Sequence, residues 1–382
     1  MTQQNSSRPH ILCVVGARPN FMKIAPMMRA FRAPGSGMTA SLVHTGQHYD
    51  EAMKHTFFDQ LHIPEPDVDL GVGSGSHAVQ TAQIMQRFEP VLDEKQPSAV
   101  LVVGDVNSTI ACALVAAKKH VPVIHVEAGL RSGDRSMPEE INRVLTDQLS
   151  DLLFTTEATA ATNLHREGIA AEKVFFVGNV MIDSLRYNLP TATPASSTLT
   201  AAGASEAYQG GNYGLLTLHR PSNVDDPATL RLLLQTLTEI SKLTPLVFPV
   251  HPRTRGRITD AGLDDLLDKA DILCLPPQGY LEMLGLMADA RLVLTDSGGI
   301  QEETTALGVP CLTLRENTER PITVEQGTNT VVGTDPDTIH RAHKSILSGT
   351  GKAGRAPELW DGQAAERITS IITQWYRAAR AA

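Results

Sequence analysis

Several kinds of residue are scarce in this chain, and each scarcity closes off a class of protein. Its 382 residues include four cysteines, Cys13, Cys112, Cys274 and Cys311, far apart, with no CxxC pair and no His/Cys ligand spacing. Neither a disulfide framework nor a metal site is therefore expected. Cys13, Cys274 and Cys311 fall in apolar strand-like runs and Cys112 in an Ala-rich helical one, which suits reduced core thiols in a cytoplasmic protein. No apolar run approaches a membrane span. The polar start, Met1 to His10, lacks the apolar stretch of a secretory signal. Positive charge is not in excess: the formal net charge is −9, so no nucleic-acid partner is expected and a phosphate-bearing ligand would need local basic residues. The GxGxxG fingerprint and the GxxxxGK[ST] loop are both missing, which argues against a dinucleotide site at the first turn and against a P-loop NTPase.

What the chain does have is alternation. Its length is too great for one ordinary core and suits two domains. Ile11–Val15, Ser41–His44, Ala99–Val103, Val121–Val126, Leu152–Thr155 and Val174–Val177 read as strands. Such continuous apolar runs suit parallel strands covered on both faces. Helical patterns lie between them, as at Phe21–Phe31. In Glu139–Ser150, after Pro138, the residues Ile141, Val144, Leu145 and Leu149 share one face of an amphipathic helix. From Pro190 to Gly211 the pattern stops, as in a linker and the entry to a second domain. It resumes with strands at Leu215–Leu218, Leu246–Val250, Ile272–Leu275, Leu292–Thr295, Cys311–Leu314 and Thr330–Val332. A last amphipathic helix, Gln363–Ala379, carries Ile368, Ile371, Ile372 and Trp375 on one side. The pattern is α/β, with two Rossmann-like doubly wound halves and a cleft between them.

Open parallel sheets bind ligands beyond the carboxyl ends of their strands. The unusual polar residues cluster there. The first strand runs into Gly16-Ala17-Arg18-Pro19-Asn20, with Lys23 five residues after Arg18. Later strands end in Gly104-Asp105, Glu127-Ala128-Gly129, His219-Arg220, His251 and Asp296-Ser297-Gly298-Gly299. Arg18 could hold phosphate oxygens in a bidentate way and Lys23 could add a point charge. Asp296-Ser297-Gly298-Gly299 opens a helix, and a glycine turn at a helix N-terminus offers free N–H groups and a positive dipole end to a diphosphate. The plain alternative is a tight turn with Ser297 as N-cap. Asp105, Glu127, Glu139 and Glu140 make a carboxylate cluster in which one group could give a proton while another takes one. One of the adjacent glutamates could instead only stabilise the start of its helix. His219, at the cleft edge, suits a ligand contact or proton carrier.

Taken in order, these stretches resemble one family. They are GARPNFMKIAP (16–26), HTGQHYD (44–50), GDVNST (104–109), HVEAGLRS (125–132), MPEEINR (137–143), TLHRP (217–221), PVHP (249–252), DSGGIQEE (296–303) and TERP (318–321). The set is similar to the non-hydrolysing UDP-N-acetylglucosamine 2-epimerases from about residue 11 to 335. The resemblance implies a glycosyltransferase-B-like fold with the active site between domains 1–188 and 189–362, and helix 363–382 packing back on the first. It implies interconversion of UDP-GlcNAc and UDP-ManNAc through elimination of UDP to a 2-acetamidoglucal and re-addition, without NAD or a catalytic metal, in a homodimer. Asp105, Glu127, Glu139 and His219 fall on its catalytic positions. Arg18, Lys23, Arg143, His219, His251, Ser297, Gly298, Gly299, Glu303 and Arg320 are the expected substrate and UDP contacts, with Glu303 on the ribose. Gln47 and His48 match part of a second, activating substrate site, but Gly71–His77 departs from its usual form. Ser222 also stands where many members carry an acidic residue, and Asn20 where several have Glu. Relatives acting on 2,3-diacetamido uronic acid nucleotides, and glycosyltransferases of the same fold, are the alternatives.

Overall fold

Thirteen short parallel strands organise the chain, and the computed structural model describes residues 8–46 and 58–381 of it. One compact unit runs to Tyr187 and takes in the chain again from Glu358; the other is Asn188–Pro357.

The N-terminal unit contains β1 (His10–Val15), β2 (Thr39–His44), β3 (Val68–Asp69), β4 (Ala99–Val103), β5 (Val123–Val126), β6 (Leu152–Thr155) and β7 (Val174–Phe176). Their order in the sheet is β3-β2-β1-β4-β5-β6-β7. Every residue of β4, β5 and β6 is buried, because helices cover both faces of a doubly wound sheet. One face is filled by Leu12, Val14, Val100 and Val102 against Ile84, Phe88 and Cys112. The C-terminal unit repeats the scheme with β8 (Gly214–Thr217), β9 (Leu246–Pro249), β10 (Ile272–Leu275), β11 (Leu292–Thr295), β12 (Cys311–Thr313) and β13 (Asn329–Val331), in the order β10-β9-β8-β11-β12-β13. Leu216, Leu218, Phe248, Leu292 and Leu294 pack there against Leu233 and Leu237.

Each sheet reverses its winding once, between β1 and β4 and between β8 and β11. At such a point the loops beyond the two strands part and leave a crevice. The loops concerned are Gly16–Asn20 and Gly104–Asp105 in one sheet, and His219–Arg220 and Asp296–Gly299 in the other. The topology thus brings the chemistry-bearing residues of each half to one edge.

Three readings of the sequence are altered. The short strand β3 carried no signal. Residues 190–211 are not a bare linker: a helix, Ala195–Ala201, buries Ala195 and Leu199 and packs on helix Tyr280–Asp289. Third, helix Pro138–Leu149 is turned opposite to ordinary amphipathic packing. It buries Glu140, Arg143, Thr146 and Asp147, while Ile141 and Leu145 remain 40% and 49% exposed. The buried charges are all paired, which is what makes the inversion tolerable.

Cys13, Cys112 and Cys311 are buried free thiols, and burial pushes their pKa up. Among the described residues no helix is long and apolar enough to cross a membrane.

Candidate active site

On the N-terminal sheet edge the geometry starts with register. Val103 of β4 is level with Val126 of β5, so Gly104 and Glu127 leave the sheet side by side. Gly104 has φ +66, and a Cβ there would stand 2.9 Å from Lys23 Nζ. Both features favour glycine. Glu127 itself is held in the left-handed region, at φ +71, a costly conformation for a residue with a side chain. Its N–H and that of Ala128 both reach Phe154 O, at 3.1 and 3.0 Å, which fixes the turn.

Two carboxylates on this edge each meet a cation. Glu127 Oε2 lies 2.6 Å from Lys23 Nζ, both side chains being buried. Asp105 Oδ2 lies 2.5 Å from Arg143 Nη2. Arg143 also reaches Glu140 at 2.5 Å, and Glu140 takes the N–H groups of Ser132 and Gly133 at 3.0 Å each. Burial alone would raise the Glu140 pKa, but these N–H groups and the Arg143 guanidinium hold it below the usual carboxylate range. Glu140 is thus the structural glutamate of the adjacent pair. The Glu139 carboxylate is half-buried and takes no hydrogen bond or ion pair among the described residues. Asn20 donates to Val103 O at 2.7 Å and accepts from Ala17 N at 3.2 Å, tying the first loop to β4.

The C-terminal edge is built around Asp296, which is fully buried. Its carboxylate accepts the backbone N–H of His219 and of Arg220, both at 2.9 Å, and the Asn223 amide at 3.2 Å. His219 Nδ1 lies 2.8 Å away. Burial would raise the Asp296 pKa; the His219 ring and the backbone donors outweigh it and lower it. With Nδ1 on Asp296, the ring presents Nε2 outward, and the His219 side chain is 40% exposed. His251 caps helix Pro252–Asp260 and places its ring centroid 6.1 Å from that of His219.

Ser297 occupies the N-cap of helix Gly298–Leu307, yet its side chain makes no capping bond. Gly298 leaves room for a buried carboxylate: a Cβ there would meet Glu319 Oε1 at 2.6 Å and Glu319 would have to shift. Glu319 is buried with Arg315 at 2.9 Å and Arg220 at 3.5 Å. Burial opposes its charge, but Arg320, Arg315 and Arg220 bring its pKa down to about 2, so it is an anion at neutral pH. Further along, Glu303 accepts from Tyr280 OH at 3.0 Å, and Arg320 Nε lies 3.0 Å from Glu302.

A family model described as UDP-N-acetylglucosamine 2-epimerase matches residues 33–373. The UDP-N-acetylglucosamine 2-epimerase of Methanocaldococcus jannaschii is 42% identical over 363 residues, 94% of this chain and 98% of that protein. The chain belongs to the UDP-N-acetylglucosamine 2-epimerase family. A second relative in Pseudomonas aeruginosa, UDP-2,3-diacetamido-2,3-dideoxy-D-glucuronate 2-epimerase, is 41% identical over 368 residues, 95% of this chain and 99% of that protein. The crystal structure of the M. jannaschii UDP-GlcNAc 2-epimerase in complex with UDP-GlcNAc and UDP matches with a TM-score of 0.84. It is 40% identical and covers 96% of this chain and 99% of that one.

In this epimerase-family chain Asp105, Glu127, Lys23 and Arg143 come together on one edge, with Glu139 opening the helix that carries Arg143. His219, His251 and the turn Ser297–Gly299 come together on the other. Lys23, expected at phosphate, is engaged by Glu127. Glu303 and Arg320 are buried with protein partners. Arg18 is the first residue of helix Arg18–Arg32; its side chain, and Gln47 and His48, lie outside the described residues. Sequence reasoning missed Asp296, Tyr280, Arg315 and Glu319 as parts of the site, although Asp296 and Glu319 stand inside the quoted motifs. Among the described residues no group of three His, Cys, Asp or Glu side chains could hold a metal ion.

Proposed function

We propose that this protein interconverts UDP-N-acetylglucosamine and UDP-N-acetylmannosamine by eliminating UDP across C1–C2 and adding it back. The C2 hydrogen is not acidic, since the amide on C2 cannot delocalise a carbanion there. Loss of phosphate from C1 must therefore lead, with positive charge building on the ring. A carboxylate takes the C2 proton, the C1–O bond breaks and C1=C2 forms. Delivery of a proton to the other face of C2 and return of UDP complete the cycle with no net oxidation. In this reading the C-terminal unit grips the nucleotide. The helix N-terminus at Ser297–Gly299 and Arg220 stabilise the leaving diphosphate, and the Nε2 edge of His219 faces the ligand. The N-terminal unit works on the sugar: Asp105 and Glu127 offset the ring charge, and the carboxylates move the proton.

The observation that carries the reading is the pairing of Asp105 with Arg143 and of Glu127 with Lys23 on adjacent strand ends. A transferase needs no carboxylate cluster at C2. The Pseudomonas relative keeps a UDP-2,3-diacetamido uronate as the second substrate to try. Incubation of UDP-GlcNAc in deuterated water without an acceptor is expected to give deuterium at C2 of both epimers. Unlabelled, unchanged substrate rejects that sugar, and free UDP with ManNAc as main products would indicate a hydrolase.

We also propose a homodimer that covers the outward face of helix Pro138–Leu149. The dimer itself is what the family resemblance implies; we place its contact at this helix because Ile141 and Leu145, one turn apart, are exposed there. Light scattering should show a dimer for the natural protein and a monomer for Leu145→Asp; a dimer in both would place the interface elsewhere.

A further inference from the structure

His125 has no part in the chemistry above, yet it is wholly buried and lies two residues before Glu127 on β5. Its Nε2 is 2.8 Å from the carbonyl oxygen of Gly104. A carbonyl can only accept, so Nε2 carries a proton and donates. On the other side of the ring, Nδ1 is 2.7 Å from Asp147 Oδ1. The second oxygen of Asp147 accepts the Gly129 N–H at 3.1 Å and pairs with Arg131 at 2.7 Å. Arg131 in turn holds Glu167 at 2.8 and 2.5 Å.

One buried carboxylate thus reaches both turns that carry the candidate carboxylates. Through His125 it holds the peptide just before Asp105, and directly it holds the turn just after Glu127. Gly104 donates its own N–H to Val126 O at 3.1 Å, so β5 grips that residue at both its polar groups. Sheet pairing does not need this: β4 and β5 are in register without any side chain from 125. An aliphatic residue would fill the position with no charge to desolvate. What histidine adds is a donor aimed at one carbonyl.

We infer that His125, backed by Asp147, is a positioning residue that sets where the Asp105 carboxylate stands by holding the Gly104 carbonyl. This deepens the epimerase reading and rests on it. Two isosteric variants separate the ring's two bonds. In His125→Gln the amide nitrogen falls near Nε2 and keeps the donor to Gly104. In His125→Asn it falls near Nδ1, keeping the Asp147 link and leaving Gly104 out of reach. His125→Asn is expected to lower kcat by about 10- to 100-fold, since a small misplacement of a reacting group costs that much. KM for UDP-GlcNAc and UDP affinity should stay within about threefold, and His125→Gln should stay within about fivefold of the natural kcat. Hydrogen–deuterium exchange should rise around Gly104–Val106 in His125→Asn only. Natural kcat in His125→Asn, or equal losses in both variants that track their melting temperatures, would overturn the inference. If the natural protein labels neither UDP-GlcNAc nor the diacetamido uronate at C2, the proposed reaction is what fails. The exchange measurement then decides the clamp by itself, and unchanged exchange at Gly104–Val106 in His125→Asn removes it.

Discussion

Asp105→Asn is expected to lower kcat by about 10²- to 10⁴-fold, the range removed with a proton-transfer or charge-stabilising group, while UDP affinity changes less than about twofold. The side chain is 21% exposed and bonded to Arg143 at 2.5 Å, so it is held in place and still open to a ligand. Asparagine keeps the shape and can still accept from Arg143 through its amide oxygen. It cannot take a proton at neutral pH, and it offers no full negative charge to a cationic ring. Arg143 is buried, but its second ion pair, to Glu140, remains, so the fold should survive. The loss of stability should be about 1 kcal/mol, that of one charge-assisted bond weakened to a neutral one. UDP affinity is expected to hold because the proposed nucleotide contacts belong to the other unit. Steady-state kinetics and calorimetry with UDP test both halves. Weakened UDP binding with intact turnover would take Asp105 out of the chemistry.

Trp360→Ala should destabilise the N-terminal unit by about 3–5 kcal/mol, the cost of emptying a large core site. The indole is 2% exposed and its Nε1–H donates to Thr156 O at 3.0 Å. Its own carbonyl accepts from Arg186 Nη2 at 3.0 Å. Just beyond it, Asp183 accepts the Ala364 and Ala365 N–H groups at 3.1 and 2.7 Å, capping the last helix, Ala364–Ala381. Trp360 is therefore the plug that fastens the returning chain before that helix begins. Trp360→Phe keeps most of the buried ring and loses the bond to Thr156, so about half the damage is expected. Denaturant unfolding followed by circular dichroism measures the difference. Equal midpoints for natural protein and Trp360→Ala would show that the helix is fastened elsewhere.

Much of the fold is legible in the sequence because parallel strands buried on both faces leave continuous apolar runs. Ala99–Val103, Leu152–Thr155, Ile272–Leu275 and Leu292–Thr295 match the observed strands end to end. The edge residues are equally readable, since each follows such a run directly. What does not show is whom they bond. Lys23, five residues after Arg18 and expected at phosphate, turns instead to Glu127, about a hundred residues away. Asp296 looks like part of a glycine turn and proves to be the anchor of His219. His125 and Asp147 carry no local signal, because their meaning lies in a carbonyl from another strand. Periodicity also misdirects at helix Pro138–Leu149. It detects amphipathicity but not which face goes inward, and here paired charges won the inner side. Asn20, which stands where several members have Glu, is explained once its two bonds to Ala17 and Val103 are seen.

Because the N-terminal unit borrows Trp360 and the last helix from the far end of the chain, its core is discontinuous while the C-terminal unit is contiguous. On the ribosome the second half can therefore close first, and the first half waits with an unplugged seam until the segment from Glu358 has been made. A stop codon placed just after Pro357 would release a chain whose later-made half is whole and whose earlier-made half lacks its plug and last helix.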